Sequence, residues 1–206
     1  MENDFVRLNI AFIPPKDVAD LAMRLSRKIS QKSEAFFILD GNNFYPHITI
    51  YSPELPVGNL RKALKATDKL SAEFAPLQFK LSDIKNYMGW IGVHNQLTEE
   101  IKNIHAEVVD KINPLREDHL REKDIAQLQS LSEKEKNNLK LYGRTHLMNL
   151  YKPHLTIIRL KDKKPAEKIA SEIEWPIKEF MLDKIGVFKT GRHGTCVELI
   201  KEFKLK

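Results

Sequence analysis

The pentapeptide Pro46-His47-Ile48-Thr49-Ile50 recurs as Pro153-His154-Leu155-Thr156-Ile157, and this duplication constrains the chain more than any other feature. Each copy sets a His and a Thr two residues apart inside a β-branched, apolar run. Side chains at i and i+2 of an extended strand share a face. Each copy therefore presents an imidazole beside a hydroxyl, with the intervening apolar residue packed behind. Proline ahead of each His biases Tyr45 and Lys152 towards extended backbone and, lacking an N–H, suits a strand start. A lone His-x-Thr is ordinarily a half-buried polar pair in a sheet. Two copies in repeated surroundings predict two half-sites facing one ligand.

The residue types point to phosphodiester chemistry. One group must take a proton from the attacking oxygen and another must give one to the leaving oxygen. Histidine titrates near neutrality, so two imidazoles can do both. A hydroxyl on the same face can donate to a non-bridging phosphate oxygen, where negative charge sits in the transition state. A metal site is the rival reading of paired histidines. Neither copy is His-x-His or His-x-x-x-His, and neither has Cys, Asp or Glu in adjacent ligand positions.

The flanking sequence repeats as well. Alternating Val6, Leu8, Ile10 and Phe12 predict a strand over 5–13, stopped by Pro14-Pro15. A helix from about Asp17 carries Val18, Leu21, Ala22, Leu25 and Ile29 on one face. A short strand at 36–39 leads through the Asp40–Asn43 turn into the first His-x-Thr strand. Asn59 is placed to cap a second helix, and Leu77, Phe79 and Leu81 alternate as another strand. The second half repeats the order. It has a strand over 87–94, a helix capped by Thr98, the second His-x-Thr strand, a helix from about Pro165, and strands near 180–188 and 195–203.

The halves differ in length. Leu8 to His47 is 39 positions, and Trp90 to His154 is 64. The surplus is a charged stretch over 113–145 with no Val and one Ile. Within it Ser132-Glu133-Lys134-Glu135 is a capping-box pattern, and Gly143 is placed to end the helix it starts. A helical insertion beside the cleft, acting as lid or substrate reader, is one reading. A plain surface excursion serves equally well.

Composition narrows the class. The chain of 206 residues can bury a core, and no apolar run reaches the length of a membrane span. The polar start Met1-Glu2-Asn3-Asp4 is unlike a secretory signal. The single Cys196 forbids an internal disulfide, fits a reducing compartment, and reads as core in an apolar strand. A cytoplasmic monomer without membrane contact is expected. The net charge of +6 favours an anionic partner.

His47-Ile48-Thr49-Ile50 and His154-Leu155-Thr156-Ile157, with a closing Lys184–Phe188 strand and a terminal 194–205 strand, resemble the two-histidine (2H) phosphoesterases. That family includes RNA 2',3'-cyclic phosphodiesterases once named 2'-5' RNA ligases. The resemblance implies His47 and His154 as general acid and base without metal or other cofactor, and Thr49 and Thr156 as phosphate binders. It implies an RNA or nucleotide substrate with a cyclic or diester phosphate.

The expected fold is α+β, with two pseudo-symmetric lobes of antiparallel sheet plus helices whose His-x-Thr strands face a central cleft. The whole 1–206 chain is then one domain, with lobe one at about 1–84, lobe two at about 85–206, and the insertion at 113–145. His154 is assigned as base and His47 as acid, although the halves are nearly symmetric.

Four further residues are candidate substrate contacts. Tyr45 and Tyr151 are placed to stack a base, and Arg144 to clamp phosphate. Arg192, with Lys189 and His193, lies in a Gly-bounded loop that borders the cleft in the resembling family. His94, His105 and His119 are set aside, His105 as a satisfied structural histidine. Two features depart from the family pattern: the longer insertion, and Thr195-Cys196 where an aromatic residue is often found. The alternative to an enzyme is a non-catalytic RNA-end or nucleotide binder that retains the phosphate pocket.

Overall fold

The computed structural model describes residues 4–206. Its strands are β1 (Phe5–Phe12), β2 (Ala35–Ile38), β3 (Ile48–Tyr51), β4 (Glu54–Pro56), β5 (Leu77–Tyr87), β6 (Trp90–Asn95), β7 (His154–Leu160), β8 (Glu179–Leu182), β9 (Lys184–Thr190) and β10 (Cys196–Lys204). Its α-helices are α1 (Lys16–Ser30), α2 (Leu60–Ser71), α3 (Glu99–Ile112), α4 (Glu122–Ala126), α5 (Glu133–Tyr142) and α6 (Ala166–Ser171). The strands form one curled antiparallel sheet in the order β10-β9-β1-β3-β7-β6-β5-β8, with β2 beside β7 and β4 beside β1. The two His-x-Thr strands, β3 and β7, are neighbours at its centre.

Four strands lie on each side of that junction, but they are not consecutive halves of the chain. β9 pairs with β1, so the last strands complete the sheet of the first half. β2 pairs with β7 and joins the second. The division expected near residues 84 and 85 falls inside β5, which runs unbroken from Leu77 to Tyr87. The strand expected over 87–94 is β6 alone. It is separated from β5 by a turn at Met88 and Gly89, whose φ angles are 51° and 91°. The strand expected near 180–188 is two strands, β8 against β5 and β9 against β1.

The helices pack on one face of the sheet. Val18 and Ala22 of α1, Ala63 of α2, Ile101 and Val108 of α3, and Ile169 of α6 share a buried cluster with Leu8, Ile10, Ile48, Ile50, Leu155 and Val187. Period-2 alternation then sends the intervening strand residues to the opposite face. A second, small apolar cluster of Ala11, Phe188 and Cys196, with Tyr45 against it, lies there.

The capping residues divide. Thr98 accepts from the Ile101 N–H, and Ser132 and Glu135 form the expected reciprocal box, with Gly143 closing α5 at φ 71°. Asn59 does not cap α2. Its amide donates to the Leu115 carbonyl at 2.9 Å and to Glu117 Oε1 at 2.7 Å, so it ties the insertion to the fold. Arg116, only 1% exposed, holds the insertion together by donating to the carbonyls of His119 and Leu141.

Gly92 sets the approach of β6 to β7. A Cβ there would sit 2.8 Å from the Leu155 carbonyl oxygen and 3.3 Å from Thr156 Cα, and backbone cannot yield as a flexible side chain can. Gly92→Ala should therefore cost about 1–3 kcal/mol, measured by thermal or denaturant unfolding. An unchanged midpoint would show that the two strands have slack.

Candidate active site

The pairing of β3 with β7 runs through Ile48 opposite Leu155. Both are buried, at 0% and 1% exposure, so their neighbours in sequence point away from the core. Carried one residue in each direction, the antiparallel register sets Thr49 across from His154 and His47 across from Thr156. Four side chains from two distant segments thus form a diagonal quartet on one patch of the open face.

Each ring is anchored in the same way. His47 Nδ1 lies 2.8 Å from the Tyr45 carbonyl, and His154 Nδ1 lies 2.9 Å from the Lys152 carbonyl. A carbonyl can only accept, so Nδ1 donates in both and Nε2 is the nitrogen left for chemistry. The backbone two residues ahead, kept extended before proline, therefore sets the tautomer. Thr49 is oriented from β1: Asn9 Nδ2 donates to its Oγ1 at 3.0 Å, leaving the hydroxyl hydrogen for another acceptor.

Burial lowers the basicity of both rings. His47 is pushed down to about 4, chiefly by desolvation and also by the nearby charge of His154, against the raising effect of the Tyr45 carbonyl. His154 is lowered for the same first reason, with the Lys152 carbonyl opposing. Its edge is open to solvent while protein packs around the rest of the ring. His47 is the more enclosed of the two rings, so desolvation opposes a proton there more than on His154.

Three residues that sequence reasoning passed over belong to this face. His94 of β6 pairs with His154, and their rings stack with centroids 5.3 Å apart at 18°. His94 is itself lowered to about 4, by burial and then by the charge of His154. The second is Asn9, a polar residue in the apolar alternation of β1, whose hydrogen bond reveals its role only after folding. The third is Arg159.

A bulge in β7, where Ile157 and Ile158 are both buried, brings Arg159 back to the open face opposite Trp90. Its guanidinium carbon lies 4.6 Å from the Trp90 ring and 4.7 Å from the Phe36 ring. Nη1 donates to His193 Nδ1 at 2.5 Å, so the turn between β9 and β10 meets the second half of the sheet across the open face. Simple alternation from Thr156 would have sent Arg159 into the core.

The four expected substrate contacts separate. Tyr45 stays half-exposed next to His47, its ring 5.5 Å from Phe188. Tyr151 is corrected to a core residue. It is 5% exposed, stacks parallel on His105 at 3.8 Å, and donates its hydroxyl to the Thr49 carbonyl at 2.8 Å. His105 is satisfied on both nitrogens, by the Ile50 carbonyl and the Met148 N–H. Arg144 lies apart from the quartet, in the field of Arg121, Asp124 and Arg7. Arg192 is exposed on the turn beside His193. Cys196 is buried, and burial pushes its thiol up.

Among the described residues, no three His, Cys, Asp or Glu side chains gather as a metal set. None of the described helices is long and apolar enough to cross a membrane.

The family model of the 2'-5' RNA ligase superfamily matches residues 14–194, a span that contains both His-x-Thr copies. The chain belongs to this superfamily. The resemblance to two-histidine phosphoesterases thus holds at family level, and with it a phosphoesterase-type enzyme. Among curated proteins, none matches the sequence.

Solved structures share the fold at low identity. The apo form of E. coli LigT aligns with a TM-score of 0.58 at 9% identity, covering 99% of each chain. TT0787 of Thermus thermophilus gives 0.58 at 14%, covering 97% of each. E. coli LigT complexed with ATP gives 0.52 at 11%, covering 99% of each.

If the His94 ring shields His154, His94→Ala should raise the His154 midpoint towards 6.5 in an NMR titration, whereas His94→Phe should leave it low. Equal midpoints in both variants would remove the stack from the account.

Proposed function

We propose that this member of the superfamily is a metal-independent phosphodiesterase that opens a 2',3'-cyclic phosphate, or a related RNA or nucleotide phosphodiester, by two-histidine acid–base catalysis. The observation that carries the reading is the cross-strand quartet, with both rings anchored through Nδ1 and both Nε2 atoms left for chemistry. E. coli LigT, a structural relative, has been crystallised with phosphate, 3'-AMP and ATP, ligands that all present a phosphate.

In this scheme the phosphate lies over the β3–β7 junction. Thr49 and Thr156 donate to its non-bridging oxygens, and a guanidinium held like that of Arg159 adds charge at the rim. His47, the less basic ring, is neutral and takes a proton from water as that water attacks phosphorus. His154, first of the two to be protonated, gives its proton to the departing ribose oxygen. This order is the opposite of the one expected from the nearly symmetric sequence halves, and the deeper enclosure of His47 is what supports it. A binder that only grips phosphate has no use for two anchored rings of unequal basicity.

The pH profile follows from these directions. His47 is neutral above about 4, and His154 loses its proton below the ordinary 6.5. The plot of kcat/KM should be a bell rising through about pH 4 and falling before 6.5. A flat profile to pH 8 would contradict it. Either His→Ala change should cost roughly 10²–10⁴-fold on a cyclic phosphate.

A nitrophenyl phosphodiester, whose leaving group needs no proton, separates the roles. His154→Ala should regain much of its loss on that substrate, and His47→Ala should not. Rescue of the opposite variant would restore the first assignment. Turnover should persist in a strong chelator. Loss in chelator, with return on adding a divalent ion, would overturn the mechanism.

A further inference from the structure

On the face that carries the quartet, β1 continues from Asn9 back to Arg7 and Phe5, and there the insertion folds over it. His119 stacks on Phe5 with centroids 3.8 Å apart. Arg121 pairs with Asp124 at 2.5 Å and approaches Glu54, the β4 partner of Arg7, at 3.8 Å. Between these groups lies a cavity of about 930 Å³, bordered by Arg7, Arg121, Lys123 and Thr190. The insertion is therefore more than a surface excursion, because it walls one end of the open face.

Basic and acidic side chains crowd this end of the face in similar number, but they are not all paired. Arg7, Arg121, Lys123 and Arg144 act on one another, and Glu54 and Asp124 are the carboxylates that oppose them. Glu122, Asp4 and Lys123 border the cavity and are exposed. Lys189 on its edge is occupied by Glu198 at 2.7 Å. Among the described residues, Arg7 and Arg144 have no side-chain hydrogen bond or ion pair. Burial and then the charge of Arg121 lower both guanidiniums, Arg144 to about 10. Thr190 Oγ1 is buried without a partner. A half-buried guanidinium without a hydrogen-bond partner is costly, and an anion relieves it.

The spacing says which anion. Arg7 follows Asn9 on the same face, two residues along β1, about 6.6 Å. Asn9 orients Thr49, so the cavity begins on the order of one nucleotide of backbone from the quartet.

We propose that this cavity is a second phosphate subsite, built by the insertion, which takes the phosphodiester one nucleotide removed from the scissile one. The favoured substrate is then an oligonucleotide end and not a mononucleoside cyclic phosphate. The inference rests on the phosphodiesterase reading above.

The test compares three substrates: a mononucleoside 2',3'-cyclic phosphate, a dinucleotide ending in the same group, and that dinucleotide with an uncharged methylphosphonate linkage. The wild type should prefer the charged dinucleotide over its uncharged analogue by about ten-fold or more in kcat/KM, the size expected of a hydrogen bond to a charged group. Arg7→Gln and Lys123→Glu should each erode that preference by raising KM for the charged dinucleotide, with mononucleoside turnover retained. Lys123 is exposed, so its variant decides the matter if the Arg7 variant misfolds. Equal rates on the two linkages, or a uniform loss on all three substrates in the variants, would overturn the subsite and leave the phosphodiesterase reading in place. Wild-type inactivity on all three would instead sink that reading and the subsite with it.

Discussion

The contact of β3 with β7 through Ile48 and Leu155 is the constraint on which the rest depends. A single buried pair joins two half-sheets drawn from segments about a hundred residues apart. Because strand side chains alternate with period two, a slip of one residue by either strand would turn its histidine and threonine into the core and break the quartet. The hydrophobic cost of exposing Ile48 and Leu155 instead, a few kcal/mol on transfer grounds, holds the register. Packing energy on the helix side thus becomes geometric precision on the open side.

Chemical difference between two near-identical motifs comes from their surroundings. Both rings are anchored by a carbonyl two residues back, and both are desolvated, yet their surroundings differ. His47 sits deeper and feels the charge of His154, whereas one edge of His154 meets solvent while His94 stacks on its ring. A duplicated fold starts with equal halves. Unequal burial makes two such rings unequal in basicity.

The chain trace explains why the two halves cannot be cut apart. β9 and β10 complete the sheet of β1, and β2 leaves the first half to pair with β7. These exchanges, together with the contact between Arg159 and His193, lock each half through the other. The insertion is fastened by Asn59 and Arg116, which satisfy carbonyls that a loosely attached loop would leave to water.

The sequence by itself determined the local pieces: the two His-x-Thr strands, the helix caps at Thr98 and Ser132, the end of α5 at Gly143, and the apolar faces of α1 and α3. Each depends on neighbours a few residues away, so periodicity and capping chemistry suffice. Only tertiary structure decided the exchange of strands between halves, the burial of Tyr151, the return of Arg159 to the open face, and the positions of Asn9 and His94 beside the quartet. These depend on register, on a bulge that reverses alternation, and on partners distant in sequence. A strand's pattern records that one face is buried, and it is silent on which strand lies alongside.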